Sequence, residues 1–110
     1  MYRITSLYHM QYPPSIITST TSRLQNLFEV ENLPVSNLES LHFKLSSVVL
    51  KLLNSDLPRL LQILYRIDVE EKLVKEAMIA DDTELIAERI ARLILKRELQ
   101  KAELRQKYSS

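Results

Sequence analysis

Through the last two-thirds of the chain, apolar residues recur at three- and four-residue intervals, the period of an amphipathic α-helix. The longest such stretch, residues 81–108, sets Ile86, Ile90, Leu93, Ile94, Leu104 and Tyr108 on one side and Arg89, Arg92, Lys96, Glu103 and Lys107 on the other. Asp81 as N-cap with Glu84 three residues on forms a capping box that satisfies two orphan amides at the helix start. Neither Gly nor Pro interrupts the stretch, which as one helix is about 40 Å long, so its far end is expected to project beyond a small domain. Arg97 and Lys101 break the apolar line, placing the end of the core contact near Leu95, with a more polar contact beyond it.

Three shorter helices precede it. Ser36 and Glu39 give a capping-box signature for a helix over residues 37–53, with Leu38, Leu41, Leu45, Val48, Val49 and Leu52 on one stripe. Phe43 and Leu50 fall on roughly the opposite side, and a helix apolar on two sides is expected to lie between partners. Ser55 and Asp56 offer N-caps for a second helix, with Pro58 in its first turn and Leu57, Leu60, Leu61, Leu64 and Ile67 inward. Asp68 and Glu71 repeat the signature for a short third helix carrying Val69, Leu73 and Ala77 inward, with Val74 and Met78 on its flank. The short connections between these helices favour one compact bundle.

Residues 1–28 contain no acidic residue and carry a cluster of Ser15, Thr18, Ser19, Thr20, Thr21 and Ser22. Three readings are open: an organelle transit peptide, a marginal hairpin around Pro13 and Pro14, and a poorly ordered arm, the last being favoured because termini disorder unless tied down. A helical turn or short helix over residues 22–30 would anchor on Leu24, Leu27 and Phe28. The expected fold is all-α: a small bundle of about four helices over residues 36–110, preceded by a poorly ordered or irregular arm over residues 1–35.

Composition narrows the chemistry. In 110 residues, 45% hydrophobic, there is no Gly, so Gly-rich phosphate loops are excluded. With no Cys there is neither a disulfide nor a thiolate metal site, which fits a cytoplasmic location. A net charge of +1 points to no nucleic-acid or membrane partner by itself, and no apolar run is long enough to cross a bilayer. His9 and His42 are the only histidines, and His42, on the edge of an apolar stripe, reads as a satisfied core-edge residue. Ser46 and Ser47 have no His base placed by the pattern, and adjacent acids at Glu70-Glu71 and Asp81-Asp82 do not face each other on a helix. No catalytic, metal or cofactor site is expected.

Two features bear on nucleic acid. The helix pair around Asp68 has a helix-turn-helix outline, but Glu70, Glu71 and Glu76 would repel phosphate. In the last helix Arg89, Arg92, Lys96, Arg97, Lys101, Arg105 and Lys107 outnumber the acids, although i,i+4 pairs such as Glu88 with Arg92 partly neutralise that face.

The segments Leu64-Tyr65-Arg66-Ile67-Asp68-Val69-Glu70-Glu71-Lys72-Leu73 and Arg97-Glu98-Leu99-Gln100-Lys101-Ala102-Glu103-Leu104-Arg105-Gln106-Lys107-Tyr108 resemble stretches of short, uncharacterised bacterial helical proteins. That resemblance covers about half the chain and implies an all-α fold and a cytoplasmic location, with no activity or ligand to carry over. The expected function is a non-enzymatic protein-interaction module that self-associates, with Phe43, Leu50, Arg97, Lys101, Leu104, Arg105 and Tyr108 as partner-binding residues. The alternative is nucleic-acid binding through the basic last helix.

Overall fold

The computed structural model describes residues 12–35 and 37–109, and in these the chain forms five α-helices: α1 (Pro14–Phe28), α2 (Leu38–Ser55), α3 (Leu57–Ile67), α4 (Glu71–Ala77) and α5 (Thr83–Tyr108). The all-α bundle expected from the sequence is present. Its main packing is α2 against α5, with α1, α3 and α4 each leaning on α5. Leu41, Leu45 and Val49 of α2 meet Ile90, Ile94, Leu95 and Leu99 of α5 in one fully buried cluster with Leu24, Leu60 and Ile67.

Side chains set several helix starts. Asn37 caps α2, its Oδ1 accepting from the Ser40 amide at 2.7 Å. Ser36, the expected cap, lies outside the described residues. Asp56 alone joins α2 to α3 and caps α3 by accepting from the Arg59 amide at 3.2 Å, with Pro58 in the first turn. The α5 cap is Asp82, one residue after the expected Asp81; it accepts from the Glu84 amide at 3.0 Å.

At Asp68 the expectation of an N-cap for α4 gives way to a different role. Its φ of 69° and its amide bonds to the Leu64 and Tyr65 carbonyls make it the left-handed residue that closes α3, and the Val69 amide returns to Leu64 O at 3.3 Å in a Schellman-type ending. Helix α4 then starts at Glu71 with no side-chain cap. Leu73 is partly exposed and only Ala77 of this short helix is buried.

The arm expected over residues 1–35 is, from Pro14 onward, part of the bundle. Pro14 opens α1, where its missing amide costs nothing, so the Pro13-Pro14 pair starts a helix instead of turning a hairpin. Ile16, Thr20, Thr21, Leu24 and Phe28 are buried, and Leu33 follows them into the core. The threonines dilute the apolar stripe of α1, and Thr21 satisfies its hydroxyl on the Ile17 carbonyl at 2.8 Å and so tolerates burial. Residues 1–11, on which the transit-peptide and strand readings also rest, lie outside the described residues.

The core contact of α5 does not stop near Leu95. Ala87, Ile90, Ala91, Ile94, Leu95, Glu98, Leu99 and Ala102 are buried, so the inward face runs to Ala102 and the turns beyond it face solvent. Beyond Leu95 the inward face is continued by Glu98, Leu99 and Ala102.

Candidate interaction surface

Glu98 organises the junction of α1, α3 and α5. Its side chain is 0% exposed and sits between Arg23 of α1, whose Nε is 3.0 Å from Oε1, and Lys101, whose Nζ is 3.1 Å from Oε2. Both contacts are close enough for ion pairing but off hydrogen-bond alignment. Lys101 also donates to the Ile67 carbonyl at 2.8 Å, and Arg97 donates to Asp68 O at 3.1 Å and pairs with Asp68 Oδ2 at 3.2 Å. The two cations that break the apolar line of α5 therefore cap the C-terminus of α3, where carbonyls lack partners and positive charge is favoured.

The other residues expected to bind a partner fall in two places. Phe43 is 75% exposed on α2, and Leu50 is half-buried on the same side. Leu104, Arg105 and Tyr108 are exposed in the last two turns of α5, with the Lys107 ammonium 5.8 Å from the centre of the Tyr108 ring. The His42 Nε2 donates to the Glu88 carbonyl at 3.1 Å, which sets the Phe43 turn beside the start of α5. At 1.5 Å per residue that is about 24 Å along the axis from Leu104, so the structure does not bring the two groups onto one patch.

A third apolar feature escaped the sequence pattern. The sequence pattern puts Leu57 and Leu61 of α3 inward, yet they are 40% and 44% exposed and Tyr65 is 87% exposed, while Ile63 takes an inward place. Their i, i+4, i+8 spacing draws one line along the helix. Together with buried Leu60, Ile63, Leu64 and Ile67 they make an apolar arc of about 200°, twice the stripe a single packed face needs. The signal was present as that excess width.

Two open grooves lie where α1 and α5 end side by side. One, about 480 Å³, is lined by Pro13, Ile16, Glu103, Leu104, Gln106 and Lys107. The other, about 290 Å³, is lined among others by Ser15, Ser19, Ala102 and Arg105. Tyr12 adjoins this end, its phenol pushed above 10.0 by burial and by the charge of Glu103. Among the described residues no group of three or more His, Asp and Glu side chains converges to hold a metal ion, and no helix is long and apolar enough to cross a membrane.

His42 is buried, and burial pushes its imidazole below the ordinary 6.5, with nearby Arg92 adding to the effect and the Glu88 carbonyl and charge opposing it. A depressed value means that the folded state holds the ring neutral. Its contribution to stability is present above 6.5 and is lost as pH falls below that value, at no more than about 1.4 kcal/mol per pH unit. Urea unfolding between pH 7.5 and 5 is expected to show this extra loss in the native chain and not in His42→Gln; equal slopes would remove His42 as the cause.

The chain matches no protein-family model, no curated protein and no solved structure.

Proposed function

We infer that this protein is a non-enzymatic helical interaction module that self-associates, working in the cytoplasm. The observation that carries the reading is the exposed line Leu57, Leu61 and Tyr65 on a helix whose adjoining side, Leu60, Ile63, Leu64 and Ile67, is already packed. Water-facing apolar side chains in a continuous row gain by being covered, and an aromatic residue at the end of such a row is a common anchor of binding energy. A second copy of the chain is the partner that is always present at matching concentration, and a row spaced evenly about Leu61 can meet itself across a twofold axis, Leu57 against Tyr65.

Sedimentation equilibrium from low to high micromolar concentration tests this. The native chain is expected to associate, and Leu61→Lys with Tyr65→Ser to weaken association at least about tenfold while leaving the circular dichroism and melting of the bundle near native. A native chain that stays monomeric at high micromolar concentration removes self-association as the function.

Nucleic-acid binding takes second place because the cations of α5 are not all available. Arg92 pairs with Glu88, and Arg97 and Lys101 are engaged with α3 and Glu98, leaving Arg89, Lys96, Arg105 and Lys107 for phosphate. That reading predicts an affinity falling steeply with salt. Absence of binding at low salt would end it.

A further inference from the structure

Helix α1 buries Ile16, Leu24 and Phe28, but its seam with α5 also holds polar and charged groups. It runs antiparallel to the outer half of α5, since Arg23 meets Glu98 while Ile16, a turn and more upstream, lines a groove with Glu103 and Lys107. The groups along this seam are Ser15, Ile16, Ser19, Thr20 and Arg23 from one side and Glu98, Ala102, Leu104, Arg105 and Gln106 from the other. Two of them are buried at a cost. The Thr20 hydroxyl is wholly buried with no hydrogen-bond partner, and the Glu98 carboxylate is wholly buried between cations that miss hydrogen-bond alignment. A buried unpaired hydroxyl works against the closed state, and a buried ion pair contributes little net stability because desolvation offsets its attraction. By contrast the α2–α5 seam is filled by Leu41, Leu45, Val49, Ile90 and Ile94 with no exposure.

We propose that α1 is a latch that opens as a unit from the outer half of α5 while α2, α3 and the rest of α5 stay folded, hydrating the Glu98 carboxylate that the closed bundle hides. The tethers that limit the movement lie at its C-terminal end, where Arg59 donates to the Phe28 carbonyl at 3.2 Å and the Leu33 amide to Gln25 Oε1 at 2.9 Å. The helix therefore swings from its N-terminal end, beside the two grooves.

Native-state hydrogen exchange of the full chain in the regime where exchange follows the opening equilibrium tests this. Detached from α5, a helix of 15 residues is marginal in water, so amides of residues 20–28 are expected to exchange at least about tenfold faster than amides of residues 90–99. Ile90→Val, in the α2–α5 seam, is expected to accelerate the α5 amides about two- to tenfold and leave α1 unchanged, because those contacts survive the opening. Thr20→Val, which removes the unpaired hydroxyl and keeps the shape, is expected to slow exchange in α1 several-fold. Equal rates in α1 and α5, acceleration of both by Ile90→Val, or unchanged or faster α1 exchange in Thr20→Val would each overturn the latch.

Discussion

Leu99→Ala is expected to lower the unfolding free energy by about 2–5 kcal/mol, whereas Leu104→Ala lowers it by less than about 1 kcal/mol. The two residues stand five apart on the same helix, and the difference lies in what surrounds them. Leu99 is wholly buried, so truncation loses transfer free energy and leaves a hole that close-packed neighbours refill only in part. Leu104 already meets water over 45% of its surface and leaves no enclosed hole. Urea midpoints with an unchanged slope would read this directly. Losses below about 1 kcal/mol at both positions would place the end of the core back near Leu95, and large losses at both would carry it past Leu104.

The second large effect is expected at Lys101. Lys101→Met keeps most of the stem but removes the charge facing Glu98 and the donor to the Ile67 carbonyl, and should cost about 3 kcal/mol, since a buried carboxylate then has only Arg23 beside it. Adding Glu98→Leu to that background should recover most of the loss by removing the stranded charge, short of about 1 kcal/mol for the missing cap of α3. The double-mutant cycle gives the coupling. Additive losses, with the double variant worse than Lys101→Met alone, would mean that Glu98 and Lys101 act independently.

Both effects sit where the sequence was hardest to read. The period of Leu41, Leu45, Val49, Ile90 and Ile94 is carried by large side chains, so α2 and α5 were legible, and Asp56 with Pro58 marked the start of α3 correctly. On α5 Glu98, Ala87, Ala91 and Ala102 carry no signal in the pattern, because an acid and small residues do not register as strongly apolar, although they are buried on the inward face. The same dilution hid α1, where Thr20 and Thr21 occupy buried positions between Ile16 and Leu24. Arg97 and Lys101 break the apolar pattern, but only the fold shows what they face: the end of α3, more than 25 residues away in sequence. On α3 the error ran the other way. Leu57 and Leu61 are as apolar as their buried neighbours, and no local signal tells which part of a 200° arc the bundle will cover.

The residues that stop α1 and α3 have an evolutionary side. Glu29 and Asp68 both hold the left-handed conformation, at φ of 55° and 69°, which costs a residue with a Cβ about 1 kcal/mol and glycine almost nothing. Glutamate and aspartate codons each lie one base change from glycine, so a backbone-relaxing substitution is within immediate mutational reach at both joints. Each present side chain gives something in return: Glu29 lies 3.4 Å from Arg59, and Asp68 3.2 Å from Arg97. A glycine at either joint would ease the turn and cut a tie between helices, and in a chain with no glycine at all both joints stand on the side of the tie.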